Sequence, residues 1–512
     1  MTLDILIIIA YLLCMLAFGF WGKRRTRNSS DYLVAGRRLG PVFYTGTLAA
    51  VVLGGASTVG GVGLGYRYGI SGMWLVIAIA TGVIVLSLVF AGPIQKLRVF
   101  TVAQVLQLRY GVNATGASGI VMALYTLMLT VTSTIAYATV FNVLFDTPRW
   151  VSIIIGAATV IIYSTIGGMW SITLTDMVQF IIKTVGVFFL LLPAAWHRAG
   201  GHDGIVEKLG DAGEAHFDIM SIGGATIITY FVVYTFGMLI GQDIWQRVFT
   251  ARTPGTAKWG GTAAGVYCLL YGVAGALIGT AGAVILPSME VNDDVYAAMA
   301  ETVLPVGLSG LVLAAAVAAM MSTASGALIA CSTVCRTDIV PLLRRLTDRS
   351  STPAPVVDPE SDVRKNRVWV LCLGVIATVI AMLMDDVVAA LTVAYDILVG
   401  GLLVAILGGF FWKRATGAGA LASMAVGTVV TLVTMALTDV LANEPIYFGL
   451  ASALVTYIVV SLATRPTDPA VLEVWNGRLA GTEVAESDNP EDAVRSRGTT
   501  PATQGTPAGP VD

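Results

Sequence analysis

Long apolar runs, nearly free of charge, recur along this chain from Leu3 to Ala463. Each is close to the roughly 20 residues a helix needs to cross about 30 Å of hydrocarbon. Lipid offers the backbone no hydrogen-bond partner, so such segments must satisfy their own amides and carbonyls, and helices do this. With 56% hydrophobic and 12% charged residues and a mean hydropathy of +0.80, most of the chain belongs in a bilayer. The expectation is an all-α polytopic membrane protein of about 13 transmembrane helices. Their starts are expected near residues 3, 42, 70, 115, 150, 177, 222, 260, 306, 368, 386, 416 and 445.

Charge threads these spans. If the chain starts outside and alternates, the cytoplasmic segments collect Lys23 to Arg38, Lys96 to Arg109, Arg247 to Lys258, Arg336 to Arg367, and Lys413 with Arg414. Arg67, Arg149, Arg198 and Lys208 are left outside, and Lys183 lies within a span. The asymmetry predicts a plasma- or inner-membrane protein with its N-terminus outside and its C-terminus in the cytoplasm. The first span, Leu3 to Trp21, lacks a leading basic region and a small-residue cleavage site, and reads as a retained helix. The loop Asp348 to Asp362 and the tail 466–512 are rich in Pro, small polar residues and acid, and are expected to be disordered and cytoplasmic.

Composition also excludes. A net charge of -2 with no basic stripe in the apolar body argues against nucleic acid as a partner. Cys14, Cys268, Cys331, Cys335 and Cys372 all fall in apolar segments and read as small hydrophobes. His197, His202 and His216 share one polar external loop and read as solvated. No span carries a nucleophile–base pair, a metal-binding spacing or a phosphate loop, so an enzyme is not expected.

Two segments carry chemistry instead. Gly46 to Gly69, GTLAAVVLGGASTVGGVGLGYRYG, makes a poor uninterrupted helix, because each Gly costs about 1 kcal/mol relative to Ala. A break is expected near Gly54 and Gly55, where unwound backbone is tolerated only if it lines a cavity or binds something. In Ala314 to Thr333, Ala319, Ser322 and Thr323 share one helical turn, and their oxygens suit a hard monovalent cation. Asp176, Lys183, Asp243 and Asp396 are costly at membrane depth unless paired or hydrated. Asp176 reads as lying at a helix start. Lys183 and Asp396 read as partners for each other or for a charged solute, and Asp243 as hydrated near the cytoplasmic end.

The text SDYLVAGRRLGP at Ser30 to Pro41, the Gly-rich break, GGMWSITLTDMVQF at Gly167 to Phe180, the run around MSTASG, and GGFFWKRATGAGA at Gly408 to Ala420 resemble the sodium:solute symporter family in order and spacing. The resemblance covers roughly residues 1–465, the transmembrane symporter domain. It implies a LeuT-like fold of two five-helix inverted repeats, about 41–196 and 222–412, with one helix before them and two after. It implies symport of a small organic solute with sodium by alternating access, the alternatives being a passive uniporter or channel, or a sensor of the same fold. Its main sodium site matches the carbonyls of Ala50 and Leu53 together with Ala319, Ser322 and Thr323, with Asp176 supplying negative charge nearby. A second sodium would need a hydroxyl where Gly326 stands, so one sodium per solute is expected. Sugar carriers of the family line their cavity with polar side chains at positions matching Ser57, Met73, Val76 and Tyr234. Proline carriers have an Asp matching Val52, so both solutes are disfavoured. Ser57, Thr58, Trp74, Tyr234 and Asp396 remain as candidate solute contacts, with a monocarboxylate or amino acid favoured. Oligomeric state is not readable from the sequence.

Overall fold

The computed structural model describes residues 2–137, 140–141, 147–347, 359–384 and 386–482. Among them the regular elements are helices, with one isolated parallel bridge between Leu39 and Ala251. Among the described residues, nine helical runs are long and apolar enough to cross a membrane, and ten when the bent pair Gly224–Ile240 and Gln242–Thr250 is taken as one span. Thirteen crossings is a finer count than these runs resolve. Ala56–Lys96 has 41 residues and Arg149–Ala199 has 51, about twice what one crossing needs. Both turn inside, at glycines in left-handed backbone: Gly69 (φ 64) and Gly168 (φ 57). At Gly168 a side chain would also meet the Tyr32 carbonyl at 2.6 Å, so helix 149–167 folds against Tyr32 only because no Cβ is there.

The centre of the molecule is Leu308–Val334. Its small residues, Ala314 to Ala319 and Ser322 to Ala327, let neighbouring backbones approach closely. The first helix (Thr2–Lys23), Val112–Ile135 and Arg149–Thr184 all pack on it. Around this post stand two interrupted helices. The first runs Pro41–Val52, breaks at Leu53 (φ -91, ψ 78) and resumes through 56–68. The second bends by 42° at Gly241, whose backbone is extended. Hydrogen bonds from Leu39 N to Thr250 O (3.1 Å) and from Arg252 N to Leu39 O (2.9 Å) tie the entry of the first to the exit of the second.

One expectation changes here. The tail opens with an ordered helix, Pro469–Ala480, capped by the Asp468 side chain; its Trp475 is buried edge-on to Phe410 at 5.3 Å. Leu472, Trp475 and Leu479 give it an apolar stripe that the polar composition of the tail obscured. Residues 348–358 of the Pro-rich loop and residues 483–512 of the tail lie outside the described residues. Arg247 is fully buried inside the protein.

Replacing Gly168 with Ala should cost about 1–3 kcal/mol from the backbone conformation alone. The unfolding temperature of the detergent-solubilised variant should fall; an unchanged temperature would contradict the account of this turn.

Candidate functional site

Stopping a helix at Val52 leaves the carbonyls of its last turn without the amides that would have followed. At membrane depth water does not replace them, and each unpaired carbonyl costs about 1–3 kcal/mol. Side chains fill the gap. Ser322 Oγ lies 2.6 Å from Ala50 O and 3.0 Å from Ala319 O, and its single proton serves one at a time. Thr323 Oγ1 donates to Val51 O at 2.6 Å, and Ser57 Oγ reaches Val52 O at 3.4 Å. Lys183 Nζ donates to Ala50 O at 2.9 Å and to Leu53 O at 3.1 Å. The glycines make this approach possible, since a Cβ on Gly54 would stand 2.5 Å from Thr323 Oγ1. Ala50, Leu53, Ala319, Ser322 and Thr323 therefore converge on one spot. The same spot holds an ammonium group that sequence reasoning had assigned elsewhere.

Asp176 stands beside this cluster, about two turns past the Gly168 break and well inside its helix, not at a helix start. Its Oδ2 is ion-paired with Arg247 Nη2 at 2.9 Å and accepts the Thr47 hydroxyl, all buried. This pair locks the first repeat to the second broken helix. Lys183 does not meet Asp396, whose two buried oxygens have no hydrogen-bond partner. Gly326 packs against Val51, and a Cβ there would lie 2.5 Å from Val51 Cγ2, so the helix crossing leaves no room for a hydroxyl at that position.

Against the break lies a small cavity, with room for about one water in this conformation. It is lined by Gly54, Gly55, Ser57, Thr132, Ser133, Thr323 and Tyr395 among others, and by Asp243. Asp243 was expected in water near the cytoplasmic end. It is instead buried at the head of Gln242–Thr250, where the bend at Gly241 turns it inward. Its Oδ1 accepts the Tyr125 hydroxyl at 2.8 Å, and a carboxylate at a helix N-terminus is favoured by the dipole. Its signal in the sequence was the dense polar text QDIWQR directly after a glycine, read as hydrated near the cytoplasmic end.

Of the expected solute contacts, only Ser57 lines this cavity. Thr58 Oγ1 is spent on Tyr271 Oη at 3.1 Å, and Trp74 Nε1 on Ile219 O at 2.7 Å. Tyr234 Oη is paired with Thr392 at 3.2 Å and faces a second, wider vestibule with Arg67, Tyr230, Glu290, Asp293 and Asp386. There burial, and next the Asp386 carboxylate, push the Asp293 carboxyl up to about 6. Asp396 borders neither space. Among the described residues, no group of three or more His, Cys, Asp and Glu is placed to hold a metal ion.

Thr323→Val keeps the side chain's shape and removes the donor to Val51 O, which should cost about 1–3 kcal/mol of stability. Thr323→Ser should stay near wild type. Equal thermal stability of the Val variant and wild type would show that this hydroxyl does not hold the break.

The profile of the sodium:solute symporter family matches residues 32–427. The high-affinity proline transporter PutP of Bacillus subtilis (strain 168) is 24% identical over 482 residues, covering 90% of this chain and 98% of that protein. A sodium/proline symporter of Staphylococcus aureus (strain COL) is 24% identical over 493 residues, covering 90% and 93%. The substrate-bound, outward-open structure of a Na+-coupled sialic acid symporter superposes with a TM-score of 0.77 at 18% identity, over 91% of this chain and 98% of that one. It shares the fold.

Proposed function

The chain belongs to the sodium:solute symporter family, and from that premise we propose that it imports a small amino acid or related zwitterion together with sodium. The observation that carries the choice of solute is the buried Asp243 carboxylate on the central cavity. A carboxylate out of water needs a positive partner. Tyr125 supplies one hydrogen bond, and a solute ammonium would supply the charge. A plain monocarboxylate would meet repulsion there, and a sugar would find little to pair with beyond Ser57, Thr132 and Ser133. The solute's own carboxylate suits the amides that open the second half of the first broken helix. Val52, which replaces the acid of proline carriers, lines the same cavity, so the negative charge is supplied from the opposite broken helix.

Sodium is carried as cargo on the oxygens of Ala50, Leu53, Ala319, Ser322 and Thr323, next to the solute cavity through Thr323. Sharing Thr323 between ion and solute spaces gives each a stake in the same closed conformation, which is what coupling requires. The two bent helices are the elements that rock, exposing the cavity to one side at a time. Transport, and not catalysis, is the work of this family's members and of the structural neighbour. In this reading the protein spans the cell membrane with its N-terminus outside and its C-terminus inside.

Purified protein in liposomes with an inward sodium gradient tests the solute class. Asp243→Asn should lower uptake of amino acids by about 100-fold or more, the scale of breaking a buried charge pair, and should weaken the preference for amino acids over matched monocarboxylates. Unchanged preference in Asp243→Asn would overturn the assignment.

A further inference from the structure

The carbonyls of Ala50 and Leu53 have two claimants. One is the sodium ion of the proposed function, on which this inference rests. The other is present in the chain: Lys183 Nζ sits 2.9 Å from Ala50 O and 3.1 Å from Leu53 O, at ordinary distances for an ammonium donor. Two cations bound to the same pair of oxygens occupy nearly the same point, so only one can be there. We propose that the Lys183 side chain is a tethered cation that competes with sodium for the broken turn, so that sodium enters only as Lys183 leaves.

Charge supports the competition independently. The charged groups around the turn are Asp176, Arg247 and Lys183, with Asp243 on the adjoining cavity, two carboxylates and two cations, all buried. Asp176 is already committed to Arg247 through its Oδ2. A sodium ion added while Lys183 stays would make a third positive charge beside two negative ones, with little water to screen it. Exchange of Lys183 for sodium keeps the balance unchanged. Departure of the ammonium is also feasible, because a lysine stem is long and flexible and sodium would satisfy in its place the two carbonyls it holds. In the absence of sodium the side chain holds the break together; in its presence the site changes hands.

The test is sodium-dependent thermal stabilisation of the purified full-length chain, with N-methylglucamine replacing sodium at constant ionic strength. Removing the competitor in Lys183→Met or Lys183→Gln should lower the half-saturating sodium concentration at least tenfold relative to wild type, while Lys183→Arg should not lower it. A half-saturating concentration in the neutral variants equal to or above that of a sodium-responsive wild type overturns the competition and leaves sodium coupling standing. A wild type indifferent to sodium beside sodium-responsive neutral variants supports the tethered cation and overturns sodium coupling at this site. Indifference of all forms overturns both. Should neither neutral variant fold, acetylation of Lys183 in wild type, read by mass spectrometry, decides: a several-fold rise in saturating sodium supports the exchange, and equal labelling with and without sodium overturns it.

Discussion

A carbonyl in a bilayer must have a donor, and at Ala50, Val51, Val52 and Leu53 the helix that would supply donors has stopped. The surrounding architecture follows from meeting that demand. Ser322 and Thr323 must come within hydrogen-bond distance of Ala50 and Val51, so the helix that bears them must cross the break closely. Close crossing requires small residues on that helix and glycine at Gly54 and Gly326, where a Cβ would strike the partner. A helix so enclosed cannot face lipid, and an apolar 18-residue stretch of Leu308–Arg344 is wholly buried. The helix most hidden from the membrane is thus the one that repairs the interruption.

The buried charges form a second layer around the same turn. Asp176 reaches across to Arg247 on the second broken helix, Lys183 returns to the first, and Asp243 faces the cavity between them. These groups connect both interrupted helices to the helix that carries Asp176 and Lys183, and none of them is exposed to lipid. Charge at this depth is expensive, and it persists where it binds or moves something. The ion pair of Asp176 with Arg247 ties two helices distant in sequence to each other.

What the sequence made legible was local. Glycine density announced the break at Gly54, and the spacing of Ala319, Ser322 and Thr323 put three oxygens on one helical turn; both readings need only a few neighbouring residues. Lys183 was legible as a costly charge but not as a ligand of Ala50 and Leu53, because its partner depends on how two helices distant in sequence are set side by side. Asp243 was misplaced for a different reason. The second break has a single glycine, Gly241, in extended backbone, so no drop in helix propensity marks it, and the polar residues after it resemble a helix end. Trp74 and Thr58 have the right chemistry for solute contact, but their donors are spent on Ile219 and Tyr271, which only the folded arrangement reveals.

The central claim is that a cation seated on the interrupted helix and a solute in the adjoining cavity cross the membrane together. Its most direct test is simultaneous flux of radioactive sodium and labelled amino acid into liposomes holding the purified protein, with the voltage clamped. The account predicts that each solute arrives with one sodium, that sodium influx stops when solute is withheld, and that solute no longer accumulates once the sodium gradient is collapsed. Solute accumulation that continues without a sodium gradient, or sodium influx that is indifferent to solute, would contradict it.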